Sequence, residues 1–246
     1  MTPASNAAEL ARATCTAPAE RSDRMRDIVL AHVPIDRPIR LLDIGCGTGS
    51  LLFRLAEALP RAALVGIDLS AANVEAAMRE QPARAPSAPL RFAVADYLQY
   101  PAEPPFDAIV ADGVLHLIGG DTNVLVRKLA RDLGPGGVLV CSMPFECAYN
   151  AAFTLLRRLL RPFRSALVDR AILQAGRMLH GSQMPDDLLR ERVAYMYLPP
   201  TRMMGERLAR AFGAAGLSET AEYPMASTSP SQLKHRATVF VRGDVR

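Results

Sequence analysis

Residues 41–49, Leu-Leu-Asp-Ile-Gly-Cys-Gly-Thr-Gly, constrain this chain more than any other stretch. An apolar strand runs into three glycines separated by single residues, and an amphipathic helix is expected directly afterwards, from Ser50 to Leu59. Glycines are required where a backbone turns tightly and must approach a ligand, because a Cβ would collide there. A second strand, Leu64-Val-Gly-Ile, ends in Asp68, nineteen residues after Gly49. A carboxylate at that distance suits the two hydroxyls of a ribose. These features predict a βαβ unit that binds a nucleoside. The G-x-G-x-G spacing departs from the G-x-G-x-x-G that suits a pyrophosphate. Asp43 precedes the first glycine by two positions, where it would repel a phosphate and attract a cation.

The pattern repeats along the chain. Helical spacing of Met25, Ile28, Val29 and His32 predicts a helix over Arg21–His32. Ser70 is placed to cap a helix running to about Arg79, and the proline-rich stretch 81–89 reads as a loop. Strands follow at Leu90–Ala95, Phe106–Ala111 and Val138–Ser142, with a helix from Asp121 to Leu133 stopped by Gly134-Pro135-Gly136-Gly137. A helix over Met203–Ala215 and strands at Ser218–Tyr223 and Ala237–Val241 close the chain. Strands alternating with helices imply an α/β, doubly wound parallel sheet with helices on both faces, and ligands collect at the carboxyl ends of its strands. Asp43, Asp68, Asp96 and Asp112 all fall at or just beyond such ends, as a shared site requires.

At Leu42-Asp43-Ile44-Gly45-Cys46-Gly47-Thr48-Gly49 the chain resembles the class I S-adenosylmethionine (SAM)-dependent methyltransferases, whose first motif reads much alike. The resemblance is strong over residues 37–144 and holds in outline over 200–243. It implies a seven-stranded, mostly parallel sheet with an antiparallel last strand, and SAM as cofactor. The backbone of Gly45, Cys46, Gly47 and Gly49 would then hold the methionine end, with Asp43 serving its ammonium. Asp68 would take the ribose, Asp96 and Tyr97 the adenine edge, and Leu69 the ring face, with Asp112 completing the set. His116, in Val114-Leu115-His116-Leu117, resembles a post-strand motif and is the candidate base. Ala111-Asp112-Gly113-Val114 stands where adenine and glutamine methyltransferases resembling this class carry an Asn-Pro-Pro-Tyr-like signature. The resemblance therefore implies a small-molecule acceptor, with oxygen favoured and a carboxylate needing no base. Two alternatives stay open: a macromolecular or carrier-bound acceptor, and a SAM-binding protein without transfer activity.

The stretch 145–200 matches no part of that basic fold and reads as a helical insertion between the fifth strand and the last helix. Phe153, Leu156, Leu160, Phe163 and Leu167 form one apolar stripe, and Pro162 is expected to break the helix. The chain carries a net charge of +4, yet between Cys147 and Met184 six arginines face the single acid Asp169. Those arginines meet solvent, an anionic or carrier-bound substrate, or a lipid surface; the sequence leaves these open. Arg157, Arg161, Tyr195 and Tyr197 are the candidate substrate residues. Residues 1–19 read as a flexible tail and 20–246 as one domain. Cys15, Cys46, Cys141 and Cys147 have no metal-ligand spacing, so no metal is expected. No apolar run reaches bilayer length and no signal peptide is recognisable, which makes a cytoplasmic location the expectation. Aromatic platforms are few, so a nucleic-acid partner is not expected. The oligomeric state is left open.

Overall fold

The computed structural model describes residues 4–13, 17–180, 186–225 and 232–243. Seven strands form one sheet: β1 (Arg40–Ile44), β2 (Ala63–Asp68), β3 (Leu90–Val94), β4 (Phe106–Asp112), β5 (Leu133–Pro144), β6 (Leu217–Pro224) and β7 (His235–Arg242). Their spatial order is β3-β2-β1-β4-β5-β7-β6. All neighbouring pairs from β3 to β5 are parallel, and β7 alone runs against both of its neighbours. This is the doubly wound, mostly parallel sheet with an antiparallel last strand that the sequence implied. The strand order switches direction between β1 and β4, and at such a point the carboxyl ends of parallel strands open a crevice.

Helices cover both faces. On one side α2 (Ala19–His32) and α3 (Ser50–Ala58) pack Met25, Ile28, Leu52 and Leu55 against Leu41, Val110 and Val140 of the sheet. On the other, α5 (Thr122–Asp132) and α9 (Glu206–Ala214) bury Leu125, Leu129 and Phe212 against Ile109, Leu139 and Phe240. Phe212 and Phe240 stack with ring centroids 4.3 Å apart, fixing α9 on the sheet. Central strands buried on both faces read as continuous apolar runs, which is why β1, β4 and β5 were legible.

Three departures from the expected elements have local causes. Helix α4 (Ala71–Arg84) runs on through Pro82, which lies in the last turn, where the missing N–H removes a single bond near the helix end. Strand β5 begins at Leu133 because Gly134-Pro135-Gly136-Gly137 forms an irregularity within the strand instead of a stop; Phe106 pairs with Leu133, and pairing resumes at Ala108 with Val138. The N-terminal segment, expected as a flexible tail, forms the short helix α1 (Ala4–Leu10). Cys15 lies outside the described residues.

Between β5 and α9 stand α6 (Ala148–Leu160), α7 (Ala166–His180) and α8 (Asp186–Tyr195). Helix α6 ends at Leu160 and passes into a 3-10 turn that contains Pro162. The predicted apolar stripe divides: Phe153, Leu156 and Leu160 line a cavity, whereas Phe163 and Leu167 are exposed. Among the described residues, no helix is long and apolar enough to cross a membrane.

Candidate active site

The glycine turn is built as the sequence requires. Gly45, Gly47 and Gly49 have φ of 71°, 53° and 82°, a region that side chains disfavour. A Cβ on Gly45 would sit 2.8 Å from Val114 Cγ2, and one on Gly49 would sit 2.8 Å from the Phe92 ring. Gly45→Ala therefore combines a left-handed backbone with a collision. It should cost about 2 kcal/mol or more of stability, read as a lower urea midpoint; an unchanged midpoint would mean that the turn relaxes freely.

Asp68 locks this turn from the neighbouring strand. Its Oδ2 accepts from Gly47 N at 2.9 Å and its Oδ1 from Ser70 N at 2.8 Å. Oδ1 also accepts a long bond from Asn73 Nδ2 at 3.4 Å, which a hydroxyl would displace, while Oδ2 keeps a lone pair open. Asp68 also lines a cavity of about 270 Å³ together with Gly45, Leu69, Asp96, Tyr97 and Asp112. Asp96 accepts from Leu98 N at 2.9 Å, which turns the chain after β3 along the cavity wall. Asp43, Cys46, Gly47 and Gly49 do not line it. The Cys46 side chain packs into the core instead, so only its backbone belongs to the turn. Asp43 is 3% exposed, and no hydrogen bond reaches its carboxylate among the described residues. Burial, helped by Asp112 and Asp68, raises its pKa well above the usual carboxylate range. A buried acid without N–H partners suits a cation arriving from outside. The lining fits the nucleoside end of SAM, with the Asp68 carboxylate for a ribose and Leu69 and Tyr97 on the wall; Asp43 lies behind that wall, close enough to Asp68 and Asp112 to feel their charge.

The N-terminal segment completes this cavity, with Ala7, Leu10 and Ala13 on its wall. An ion pair of 2.8 Å between Glu9 and Arg164 ties it to the insertion.

A second cavity, of about 490 Å³, adjoins the first; Asp112, Gly113, Leu117 and Tyr195 line both. Asp112, on the wall shared by both cavities, is already paired. Arg21 grips its carboxylate through Nε at 2.8 Å and also donates to Ser142 Oγ at 2.7 Å. Ser142 Oγ lies 3.2 Å from His235 Nδ1, and the His235 ring meets His116 edge-on with centroids 5.3 Å apart. His116 is buried with Nδ1 unpartnered among the described residues. Burial, with the nearby arginines, holds both imidazoles well below their ordinary pKa, so they are neutral at neutral pH.

Arg157 closes this end of the cavity. It is 7% exposed, its Nη1 donates to Leu198 O at 3.3 Å, and its Nε has no partner among the described residues. No ion pair reaches it among the described residues, and burial pushes its pKa down to about 10, so it stays charged at neutral pH. A buried cation without a counter-ion carries a penalty of several kcal/mol.

The other candidate substrate residues separate. Tyr195 lines both cavities. Tyr197 is fully buried away from them, donating to Asp169 Oδ1 at 2.6 Å. Arg161 lines neither cavity. Pro162 ends the helix just beyond it, so its periodicity with Arg157 stops mattering. Four contributors were not legible: Arg21, His235, Thr201 and Arg202. Arg202 Nη1 donates to Leu115 O at 2.6 Å and Ile118 O at 2.8 Å, and Thr201 Oγ1 to His116 O at 3.0 Å. Together they fix the loop that carries His116. Only tertiary pairing assembles these groups; no local motif marks them.

The neutral imidazoles set a pH dependence. Unfolded histidines take up protons below about pH 6.5 while the buried rings resist, so stability is full above that value and falls with pH beneath it. Each ring contributes up to about 1.4 kcal/mol per pH unit, and the raised pKa of Asp43 opposes one of them. The urea midpoint should drop between about pH 7.5 and 5.5; a constant midpoint would contradict the burial of neutral rings.

The family model described as "Methyltransferase domain" matches residues 42–139. The curated trans-aconitate 2-methyltransferase of Methylobacterium nodulans is 36% identical over 154 residues, covering 62% of this chain and 56% of that protein. That of Pseudomonas paraeruginosa is 39% identical over 123 residues, 49% of this chain and 42% of that protein. The chain spans about half the length of the curated relatives it matches. Among solved structures, the N-methyltransferase NodS from Bradyrhizobium japonicum WM9 superposes with a TM-score of 0.58 at 18% identity, over 92% of this chain and 96% of that one. At that identity the likeness concerns the fold. The glycine turn and the strand order are those of a Rossmann-like fold, and within it residues 42–139 are similar to a methyltransferase domain.

Proposed function

We propose that this protein is an enzyme that binds SAM in the smaller cavity and methylates a carboxylate of a small molecule held in the larger one. The observation that carries the reading is Arg157, a buried guanidinium without a counter-ion in the acceptor cavity. The relatives named for trans-aconitate, a carboxylic acid, support it. In this reading residues 20–246 work as one domain, with 145–200 capping the acceptor cavity.

SAM, when bound, supplies an electrophilic methyl carbon on a sulfonium. Gly45 and the turn behind it would hold the methionine end, Asp43 would counter the ammonium charge from behind the cavity wall, and Asp68 would take the ribose hydroxyls. Asp96, Tyr97 and Leu69 border the adenine. Arg157 orients the acceptor carboxylate through charge-assisted hydrogen bonds. A carboxylate has no proton to lose, so His116 is a positioning group here and not a base; its neutral ring adds no competing charge. Arg21 neutralises Asp112 at the junction of the cavities, which would otherwise repel the acceptor.

Purified protein with methyl-labelled SAM and a panel of carboxylic acids tests this. Label should appear in small products and be released as volatile methanol by mild base, as methyl esters require. Base-stable label, or label in protein or nucleic acid, would overturn the reading.

A further inference from the structure

The larger cavity has two ends of different chemistry. Arg157, His116, His235 and Arg21 gather at the end that adjoins the smaller cavity. The remainder is walled by the three insertion helices, with Phe153 and Leu160 from α6, Ile172 and Leu173 from α7 and Val193 from α8, and by Met196 just beyond α8. Its size of about 490 Å³ suits a ligand of some length. Its charge is small. Arg21, Arg157 and Arg192 stand against Asp112 and Glu191, with the histidines neutral, an excess of one positive charge. A tricarboxylate would bring three negative charges to a lining that balances one, and would press two of them against apolar side chains.

We infer that the acceptor is a monocarboxylic acid with an extended apolar chain, its carboxylate at Arg157 and its chain between α6, α7 and α8. This rests on the carboxylate methylation proposed above and names its substrate class. In the transfer a carboxylate oxygen forms an O–CH3 bond as the S–CH3 bond breaks, the electron pair stays on the now neutral sulfur, and no proton moves. The insertion is then the chain-selecting part of the molecule.

The test is a series of unbranched fatty acids from butanoate to dodecanoate beside trans-aconitate. Binding is measured by calorimetry with S-adenosylhomocysteine present, and transfer with labelled SAM. Affinity should rise about fourfold for each methylene buried, and transfer should follow it. Ile172→Glu, which puts a charge on the half-buried wall of α7, should flatten that slope to less than about twofold per methylene. A flat series in the wild type, or a preference for trans-aconitate, would overturn the chain site while leaving carboxylate methylation standing. Transfer to none of these acids, with label entering a different functional group, would overturn both.

Discussion

Asp68→Ala should weaken SAM binding by at least about 100-fold, the sum of two lost hydrogen bonds from hydroxyls to a charged acceptor at about 1.5–3 kcal/mol each. The variant also frees two backbone N–H groups, those of Gly47 and Ser70, from the carboxylate that orders them. Part of the loss is therefore in the glycine turn itself. Asp68 is only half-buried at the end of β2, so the fold should persist, with a stability cost of roughly 1–2 kcal/mol. Calorimetric titration with SAM, paired with circular dichroism, separates the two contributions. Undiminished affinity in a folded variant would remove the ribose assignment and with it the placement of the cofactor.

Arg157→Met should lower kcat/KM for the acceptor by about 100-fold, since a carboxylate would lose its charged partner in a buried site. SAM affinity should stay within about twofold, because Arg157 lines only the larger cavity. Stability should hold or rise, by up to a few kcal/mol, since an apolar side chain of similar length replaces a cation without a counter-ion. That combination distinguishes a binding residue from a structural one. A structural arginine would lose stability first and activity as a consequence. The lost bond to Leu198 O and the contact with the Phe153 ring, 5.1 Å from the guanidinium carbon, set the modest opposing cost.

Much of the fold and part of the lining of the smaller cavity were legible because local rules determine them. The glycine turn, the aspartates at strand ends and the break at Pro162 each follow from backbone geometry within a few residues. The larger cavity was legible only in part. Arg157 stood out as one of a cluster of arginines, yet nothing in the sequence distinguishes it from Arg161, which lines neither cavity. The difference is that Arg157 lies on the buried side of α6, whereas Arg161 lies past its end. The apolar stripe pointed to the right helix, but Asn150, Thr154 and Arg157 are its buried residues, so its polar face packs inward and much of its apolar face does not. Such an inversion is what a lined cavity produces, because the wall must keep a cation dry. Arg21 and His235 come from opposite ends of the chain and meet only once β7 is inserted beside β5. The placement of the N-terminal segment along the smaller cavity likewise rests on tertiary contacts, Glu9 with Arg164 and Ala13 O with Asn73 Nδ2.

The most direct measurement follows the fate of methyl-labelled SAM with wild-type protein and Arg157→Met side by side, with products identified by NMR. Wild type should give a single new methyl signal of an ester, and the variant about a hundredth of it with cofactor affinity intact. A methyl signal on nitrogen, carbon or an ether oxygen, or equal ester formation by the variant, would contradict methyl transfer to a carboxylate held by Arg157.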